Sequence, residues 1–379
     1  MSYSKATLSW IFSRADVRIN GDRPWDIKVK DERFFSTVLR YGSLGLGESY
    51  MRGWWECEQL ENCIARILKA RLDRWGFINP TGIGRWLKDK FTNPAPPELA
   101  FLIGERHYDV GNDLYQAMLG PTMAYTCAYW TDTAKGLDQA QTAKFDLVCR
   151  KLGLTQGQRI LDIGCGFGSF AKFAAEHYGV TVVGTTVSVE QAKFGREFCK
   201  GLPVKIRVED YRETAKRGEK FDHVVSLGMF EHVEPRNYET YFQAVSHCLE
   251  GGGFFLLHTI GKMRGGSGSD PWIRKYIFPL GLIPTKTRIR KGSANYFSKE
   301  LDWHDLGSHH YRSTLLAWHD NFAKAWNDPG GGLKVKYGEE FGRMWKYYLL
   351  SCSGAFQAKN LDVWQVVLAR ENRNYTPVR

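Results

Sequence analysis

The middle of the chain alternates short apolar runs with longer amphipathic segments. The apolar runs have the length and β-branched content of buried strands. They cover residues 158–163, 180–185, 204–208, 221–227 and 253–259. Helical spacing of apolar residues marks the segments at about 139–152, 169–178, 188–200 and 235–249. Strands that alternate with helices of ten or more residues predict a mainly parallel, doubly wound α/β sheet.

The ends of the chain have a different pattern. Gly21-Asp22 lies between alternating apolar and polar positions, which predicts a hairpin, and ENCIARILKARLDRWGF has helical spacing. Near the C-terminus we predict helices over 313–326 and about 338–357, followed by a strand over 361–370.

The best linker candidate is the segment 92–97, TNPAPP. Three prolines in its last four positions prevent a helix from crossing it. We therefore predict an N-terminal domain over 1–91 and a second domain over 98–379.

The charge is strongly positive, which changes the expected partner. Lys and Arg total 52 against 41 Asp and Glu, giving a net charge of +11, and 14% of the residues are aromatic. The segment 66–91 has seven basic residues against two acidic, and 262–291 has eight against one. Such a charge indicates nucleic acid or an anionic membrane surface as partner. No nucleic-acid-binding motif is present, and interleaved Trp and Phe favour the membrane. A solvated helix face remains an alternative for 66–91.

Nothing in the sequence indicates secretion or a membrane span. No apolar run approaches the roughly 18 residues of a transmembrane helix, and Arg14 and Asp16 come before any apolar signal-peptide core could form. The eight cysteines show no CxxC or Cys/His ligand spacing, so we expect reduced thiols and no metal site. The protein is expected to be intracellular and soluble.

The strongest motif is ILDIGCGFG, residues 160–168, at the end of a predicted strand. Gly164, Gly166 and Gly168 allow a sharp turn and close approach of a ligand to the following helix N-terminus. The dinucleotide fingerprint GxGxxG would need glycine where Ser169 stands, so a dinucleotide oxidoreductase is a weaker alternative. Asp162 lies just before the turn, where its carboxylate suits a cationic ligand.

This motif resembles motif I of S-adenosylmethionine-dependent methyltransferases. The second strand ends in VVGTTVSVEQ, without the acid that usually holds the ribose, so Thr185, Ser188 and Gln191 are expected to supply polar contacts. Asp210 is placed to meet the adenine amino group, and Tyr211 to stack nearby. Cys165 is expected to line the cofactor pocket.

Several further blocks narrow the resemblance, and they are HYDVGNDLY, YTCAYW, GMFEHV, LLHTIG and YYLLSCSGAF. Over about 98–370 the chain resembles the cyclopropane-fatty-acyl-phospholipid synthases and, more loosely, the mycolic-acid cyclopropane synthases. The resemblance implies a Rossmann-like class I methyltransferase domain with a mainly parallel seven-stranded sheet, and a smaller N-terminal α+β domain that associates with lipid. The basic insertion over 262–298 follows the carboxyl end of a predicted strand, where it would lie over the ligand crevice, so we predict that it is a lid or substrate-entry element.

The implied reaction transfers a methylene group from S-adenosylmethionine to the cis double bond of an unsaturated phospholipid acyl chain. A methyltransferase of another lipid or small molecule, giving a methyl-branched product, is the alternative. The resemblance also implies a homodimer in the cytoplasm, peripherally associated with the inner membrane.

In the resembling family, bound bicarbonate removes the proton from the carbocation. The matching positions are Cys127, Glu231, His258, Ile260 and Tyr311. Cys352 matches a cysteine often assigned to the active site, although the chemistry requires no thiolate. Tyr108 and Gly111 match a segment that folds over the cofactor. Read without the family, Cys127 and His258 could be core residues, and Glu231 could be an acid at a helix N-terminus.

Overall fold

The computed structural model describes residues 3–72, 111–263, 268–279, 281–372 and 374–379. They form two compact units. The helical unit contains 3–72, 269–279 and 311–361, and the sheet unit contains the other described residues. Two segments that the sequence analysis assigned to the second domain therefore cluster with the N-terminal residues. The predicted linker 92–97 and most of the basic segment 66–91 lie outside the described residues.

The helices and strands follow the chain in this order. The helices are α1 (Tyr3–Ser13), α2 (Arg33–Tyr41), α3 (Ser43–Met51), α4 (Leu60–Lys69), α5 (Asn112–Leu119), α6 (Leu137–Leu152), α7 (Ser169–Tyr178), α8 (Val189–Phe198), α9 (Tyr211–Lys216), α10 (Tyr238–Cys248), α11 (Pro271–Tyr276), α12 (Lys286–Ser293), α13 (Ser308–Trp326), α14 (Leu333–Tyr337) and α15 (Glu339–Gln357). The strands are β1 (Lys28–Val29), β2 (Trp55–Glu56), β3 (Arg159–Ile163), β4 (Thr181–Thr186), β5 (Val204–Val208), β6 (His223–Leu227), β7 (Phe254–Lys262), β8 (Lys299–Asp305) and β9 (Leu361–Ala369). Two 3-10 helices, Phe230–His232 and Pro235–Asn237, precede α10.

The sheet unit is built on a seven-stranded sheet with the order β5-β4-β3-β6-β7-β9-β8. Strand β3 pairs in parallel with β4 and β6, and β6 with β7, where Leu227 lies opposite His258. Strand β8 is antiparallel to β9. The predicted mainly parallel α/β sheet is confirmed. Strand β8 was not predicted, because only Leu301 and Trp303 interrupt its charged and polar residues, as is common in an edge strand.

Apolar side chains cover both faces of this sheet. Phe145 of α6 and Phe170 of α7 belong to one core cluster, while Tyr241 and Phe242 of α10 belong to another. Burial of both faces explains why the strands read as nearly continuous apolar runs. The arrangement leaves the carboxyl ends of β3, β6 and β7 at a common edge, where ligands bind in such folds.

The helical unit is held by close helix packing and by a partly buried ion pair between Arg312 and Glu61. A Cβ atom added to Gly354 of α15 would lie 2.8 Å from the Glu61 carbonyl oxygen of α4, so these helices touch through their backbones. Arg312 donates two hydrogen bonds to Glu61, at 2.6 and 3.0 Å, and Ser353 donates a third. In the unit's small sheet, β1 pairs antiparallel with β2.

The hairpin predicted at Gly21-Asp22 is wrong. The Asp26 carboxylate accepts the backbone N–H groups of Arg18 at 2.8 Å and Arg23 at 3.1 Å, and it also binds the Arg23 guanidinium. The loop is therefore organised around a buried side chain, and it contributes only one isolated bridge, between Ile19 and Ile27. The alternation of apolar and polar positions did not reveal this loop, because one carboxylate, and not a set of cross-strand hydrogen bonds, holds its backbone.

Three further findings concern the described residues. No helix among them is long and apolar enough to cross a membrane. The eight cysteines, all within the described ranges, are free thiols. A search of the same ranges finds no group of three or more metal-ligating side chains.

Candidate active site

The turn after β3 is held tightly against its neighbours. The N–H groups of Gly164 and Cys165 both donate to the Thr185 carbonyl oxygen at 2.9 Å, which joins the turn to β4. Gly164 has a φ of +76°, and a Cβ atom there would lie 2.6 Å from the Met229 side chain. Only glycine fits this position, because both the conformation and the close contact exclude a side chain.

The next glycine opens the turn toward free space. Gly166 has a φ of +54°, and a Cβ atom there would meet only the Gln191 Nε2 atom, at 4.0 Å. Gly168, in contrast, packs against Cys199 and Ile206, each 3.1 Å from its ideal Cβ position. The accessible side of the turn therefore lies at Gly166. Burial raises the pKa of Cys165 well above its usual value, so its thiol is inert and serves to line the turn.

Asp162 is a buried carboxyl group with an incomplete set of partners. The residue is 2% exposed, and its Oδ2 atom has no hydrogen-bond partner among the described residues. Burial raises the pKa of Asp162 to about 7, against a smaller opposing effect of Lys144. An unpartnered acceptor at this depth is unfavourable, so the site suits a ligand that brings a positively charged hydrogen-bond donor.

Polar side chains after β4 fix the next wall of the site. Ser188 caps α8 by accepting the Gln191 backbone N–H at 3.2 Å. The Thr186 hydroxyl donates to Gln191 Oε1 at 2.9 Å, which orients the Gln191 amide group. Thr185 is buried, and its carbonyl oxygen holds the glycine turn. The predicted polar residues therefore lie beside the open face at Gly166.

Asp210 and Tyr211 lie just beyond β5. The Asp210 carboxylate accepts the Arg212 backbone N–H at 2.9 Å and binds its guanidinium at 2.6 and 2.9 Å. The backbone hydrogen bond caps α9 and the ion pair partly neutralises the carboxylate, so Asp210 is rigidly held. The Tyr211 ring packs edge-on against Tyr241, with centroids 5.2 Å apart.

Glu231 is the second buried carboxyl group at the sheet edge. It lies in a 3-10 helix after β6, and its Oε1 atom accepts the Ile260 backbone N–H at 2.6 Å. Its Oε2 atom has no partner among the described residues. Burial raises the pKa of Glu231 to about 7, so the group can hold or release a proton near neutral pH.

His258 on β7 is a neutral, oriented imidazole. It is 2% exposed, and burial lowers its pKa well below the usual value, with smaller contributions from Lys144 and Lys151. The Gln365 amide lies 3.3 Å from His258 Nδ1 and donates to it. Since Nδ1 is then an acceptor, the ring proton is on Nε2. Cys127 is also buried, with its thiol donating to the Ala128 carbonyl oxygen at 3.2 Å.

Thr126 and Lys144 also lie at the site and were not predicted from the sequence. Lys144 is fully buried on α6, and its Nζ atom donates to the Thr126 hydroxyl at 2.6 Å. Burial lowers the pKa of Lys144 to about 7, and its charge interacts with Cys127 and Asp162. The available signal was the position of Lys144, which shares the buried helix face of Ala140 and Leu147.

The remaining predicted residues lie elsewhere. Tyr311 and Cys352 belong to the helical unit. The Tyr311 ring packs on Phe356, with centroids 4.7 Å apart. Cys352 is partly buried on α15, and burial raises its pKa to about 12. Gly111 precedes α5, and Tyr108 lies outside the described residues.

The sheet unit therefore gathers two carboxyl groups of near-neutral pKa, one neutral imidazole and an open glycine turn. The turn with Asp162 can hold a ligand that carries a positive charge. Glu231 and His258 can orient an anion or move a proton. Burial of these groups excludes water and strengthens their electrostatic effects.

Comparisons with known proteins give one consistent result. The profile of the family "Mycolic acid cyclopropane synthetase" matches residues 100–366. The chain is 46% identical to the cyclopropane-fatty-acyl-phospholipid synthase of Escherichia coli strain K12, over 96% of this chain and 93% of that protein.

Solved structures agree in fold. The cyclopropane synthase MmaA2 from Mycobacterium tuberculosis superimposes with a TM-score of 0.65 and 30% identity, covering 71% of this chain and 98% of that one. The mycolic acid cyclopropane synthase CmaA1, complexed with SAH and CTAB, gives a TM-score of 0.63 at 30% identity, over 71% and 97% of the two chains.

Proposed function

The chain belongs to the mycolic acid cyclopropane synthetase family of S-adenosylmethionine-dependent enzymes, and we propose that it acts on membrane phospholipid. It transfers a methylene group to the cis double bond of an unsaturated acyl chain and forms a cyclopropane fatty acid. The observation that carries the proposal is the 46% identity to the E. coli synthase over 96% of the chain. That match includes the N-terminal residues, which the family profile does not cover.

The glycine turn and Asp162 fit the methyl donor. S-adenosylmethionine, when bound, supplies an electrophilic methyl group on a sulfonium. The Asp162 oxygen that has no partner among the described residues suits the positive charge of S-adenosylmethionine. The open face at Gly166 lets the ligand approach the Gly166 backbone closely. The proposed binding residues are Tyr108, Gly111, Asp162, Gly164, Cys165, Gly166, Gly168, Thr185, Ser188, Gln191, Asp210 and Tyr211. Asp210, already fixed by Arg212, is a rigid acceptor.

The buried carboxyl group of Glu231 fits a site for bicarbonate. Bound there, bicarbonate supplies a mild base for the proton that must leave the alkylated chain. An ionised carboxylate would repel this anion, but the raised pKa of Glu231 lets it hold a proton on the unpartnered Oε2 atom and donate a hydrogen bond. His258 donates from Nε2, because Gln365 occupies Nδ1.

Three further residues are proposed for the same anion site. The Ile260 N–H is already engaged by Glu231 Oε1, so Ile260 acts by orienting that carboxyl group. Cys127 and Tyr311 are proposed as additional contacts. We propose no chemical role for Cys352, because its high pKa keeps the thiol protonated.

Product analysis tests the proposal directly. Vesicles of unsaturated phospholipid are incubated with the protein and S-adenosylmethionine, and the lipids are examined by NMR. Upfield cyclopropane ring protons are expected. A methyl-branched alkene has the same added mass, so its vinyl and methyl signals would establish the alternative product. Depleting bicarbonate should slow turnover, and restoring it should recover the rate.

The cofactor part has its own test. Gly166→Val places a branched side chain in the open face and forces valine into a left-handed conformation, so S-adenosylmethionine binding should be lost in calorimetry. Gly153→Val is the matched control, because Gly153 also has a positive φ but lies at the end of α6 with no atom near its Cβ position. Equal binding by both variants would contradict the proposed cradle.

We also propose peripheral association with an anionic membrane surface, on the cytoplasmic side of the inner membrane. The net charge of +11 supports this. Within 262–291, however, Lys275, Lys286 and Arg290 are paired with Glu48, Asp305 and Glu300. The attraction should therefore be moderate and should weaken with salt in vesicle pelleting. Salt-independent binding to neutral vesicles would contradict it.

The domain roles follow from the same proposal. Residues 1–91 are proposed to associate with lipid, 92–97 to link, and 98–379 to carry the catalytic domain with a lid at 262–298. A homodimer is also proposed, and light scattering after gel filtration tests it by mass.

A further inference from the structure

The hydrogen bond between Gln365 and His258 can form with the Gln365 amide in either of two orientations. Gln365 is fully buried on β9, and its Nε2 atom lies 3.3 Å from His258 Nδ1. An amide turned by half a rotation would present Oε1 to the ring instead, and the ring would then carry its proton on Nδ1. The Nε2 proton that the proposed anion site uses therefore depends on what holds the Gln365 amide in its observed orientation.

The other end of the Gln365 amide is incomplete. Its Oε1 atom is buried and accepts no hydrogen bond from the described residues. The contact with His258 does not by itself favour one orientation, because either end of the amide can bond to an imidazole that shifts its proton to match. A donor that reaches Oε1 would favour the observed orientation, since it would bind the oxygen and oppose the amide N–H groups.

The residue opposite Gln365 across the sheet is a candidate for this donor. His304 of β8 is paired with Gln365 of β9 in the antiparallel register. Side chains of directly opposite residues share a face, with Cβ atoms about 4.5–5.5 Å apart. That face is the one toward α6, because Val367, two residues after Gln365, belongs to the same core cluster as Phe145 of α6. His304 and Gln365 can therefore meet there, directly or through one water.

The ring proton of His304 is set from its other side. The Lys151 ammonium group lies 3.0 Å from His304 Nδ1 and 3.2 Å from Asp302 Oδ2. Burial lowers the pKa of Lys151 to about 8, so the ammonium form prevails at pH 7 and can only donate. Burial lowers the pKa of His304 to about 4, so this ring is neutral and accepts at Nδ1. Its proton is then on Nε2, the ring nitrogen that Lys151 does not contact.

We propose that a hydrogen-bonded chain of Lys151, His304 and Gln365 fixes the ring proton of the site histidine on its Nε2 atom. Lys151 donates to His304 Nδ1, and the His304 Nε2–H group donates to Gln365 Oε1. The Gln365 amide then has only an N–H group to offer to His258 Nδ1. All three are positioning residues that act through His258. The inference rests on the proposed function, in which His258 donates to bicarbonate.

The start of this chain is rigidly held, as a positioning role requires. Asp302, which binds Lys151, also accepts two hydrogen bonds from Arg379, both at 2.7 Å. The Tyr129 ring packs edge-on against His304, with centroids 6.2 Å apart. A flipped His304 ring would present a C–H group to the ammonium and leave a buried charge short of an acceptor, so the observed ring orientation is favoured.

Nitrogen NMR measures the position of the His258 proton directly. In ligand-free protein that carries isotope-labelled histidine, long-range proton–nitrogen spectra at pH 7 distinguish a ring protonated on Nε2 from one protonated on Nδ1. The signal that disappears in His258→Gln belongs to His258. The wild type should show the Nε2–H form, and a wild type protonated on Nδ1 would overturn the chain. In His304→Phe the ratio of the Nε2–H form to the Nδ1–H form should fall about tenfold, as the loss of one hydrogen bond predicts.

A conservative variant separates hydrogen bonding from packing. His304→Gln has an amide that can accept from Lys151 and donate to Gln365, so it should keep the wild-type ratio. A ratio as low as that of His304→Phe would contradict the chain. Lys151→Met, in which Asp302 keeps Arg379 as a partner, has the same expected outcome as His304→Phe and replaces that variant if it does not fold.

The matched control is a second buried histidine of the same sheet. His223 is 6% exposed, and burial lowers its pKa to about 4, so it is also neutral. It also lies close to a glutamine amide, with 3.3 Å between its Nε2 atom and Gln158 Nε2. His223 begins β6, however, and so lies at the opposite end of that strand from the site. His223→Phe should leave the His258 ratio unchanged. A ratio that both phenylalanine variants lower would overturn the chain, since the change would then be a general distortion.

Turnover separates the chain from the proposed function. With unsaturated phospholipid vesicles and S-adenosylmethionine, the bicarbonate concentration for half-maximal turnover should rise in His304→Phe as the fraction of molecules with an Nε2 proton on His258 falls. Calorimetry should show unchanged binding of S-adenosylhomocysteine. A lowered ratio with an unchanged bicarbonate requirement would confirm the chain and contradict the role of His258 in the proposed function. An unchanged ratio would overturn the chain, whatever the bicarbonate requirement.

Discussion

Two groups of buried charged residues in the sheet unit differ in how completely they are paired. The Asp302 carboxylate has a full set of partners. Arg379 donates two hydrogen bonds to it, both at 2.7 Å, and Lys151 of α6 lies 3.2 Å away. At the sheet edge, Asp162 and Glu231 each retain a buried oxygen without a partner among the described residues. The three carboxyl residues are all buried, with exposed fractions of 2% for Asp162, 6% for Asp302 and 8% for Glu231, so low exposure of the carboxyl group alone does not explain the difference.

The difference separates charges that serve folding from charges that serve a ligand. Around Asp302 the partners lower its pKa despite burial, while at Asp162 and Glu231 burial dominates and raises the pKa. A carboxyl group whose cost is not offset by the fold destabilises the unliganded protein, and a bound ligand recovers that cost. A raised pKa together with a buried oxygen that has no partner among the described residues therefore distinguishes Asp162 and Glu231 from Asp302.

The largest effect should come from breaking the completed group. Asp302→Asn leaves Lys151 buried without its counter-charge, so the free energy of unfolding should fall by about 3–5 kcal/mol. Urea denaturation measures this loss. Asp31→Asn, which removes a solvent-accessible partner of Arg33, is the control and should leave the urea midpoint nearly unchanged. A comparable loss of stability in both variants would contradict the distinction between the buried and the solvent-accessible ion pair.

The next effect should appear in turnover. Glu231→Gln keeps the shape and the contact with Ile260 but replaces the acidic proton that Oε2 would share with the bound anion by an amide N–H, a much weaker acid. The rate should therefore fall roughly 10²- to 10³-fold, or ~3–4 kcal/mol in barrier. Cofactor affinity, measured by calorimetry, should change little. If the variant turns over nearly as fast as the wild type, Glu231 serves the fold and not the reaction.

A pH dependence should distinguish Asp162 from Asp302. Because the folded-state pKa of Asp162 is raised to about 7, the native protein holds a proton that the unfolded chain has released above pH 4, and its stability falls as pH rises toward 7. Asp162→Asn removes this dependence. Its stability advantage over the wild type should therefore grow by about 2 kcal/mol between pH 5 and pH 7.

Urea titrations of the unliganded protein at pH 5, 6 and 7 measure that advantage. Asp302→Asn should show no such growth, because partners lower the Asp302 pKa. A pH-independent difference between Asp162→Asn and the wild type would show that Asp162 is ionised throughout and has a partner.

The smallest effect is expected at Cys352. Its thiol stays protonated at neutral pH, because burial raises the pKa to about 12. Cys352→Ser should retain activity within about twofold, or ~0.4 kcal/mol. Cys352→Ala, assayed beside it, separates loss of a polar group from loss of volume. A large loss in both variants would assign this cysteine a chemical role.

The regular elements could be predicted from sequence because burial of both sheet faces imposes a strong pattern. The strands over 159–163 and 223–227 and the glycine turn lie where the apolar runs and Gly164 placed them. Strand β8 and the Asp26 loop were not predictable in this way, since charged side chains and one carboxylate determine them.

The residues of the candidate site were predicted only where they belong to a recognisable sequence motif. Asp162 was found through the adjoining glycines, and Glu231 and His258 through family resemblance. Lys144 was not predicted, because its helical spacing is typical of a packed residue. Only the folded chain shows that its ammonium group is buried and hydrogen-bonded to Thr126. That glutamate and histidine have opposite pKa shifts also depended on burial, which sequence spacing does not specify.

The position of β9 sets an order of events during synthesis. Among the strands of the described residues, β9 comes last along the sequence, yet it lies between β7 and β8. Until it emerges from the ribosome, the edge of β7 that it will cover has no neighbour, and His258 lacks the amide of Gln365. A nascent chain that stops before residue 361 therefore cannot complete the imidazole's hydrogen bonds. Translation itself therefore delays the assembly of a competent site until residues 361–369 have been made.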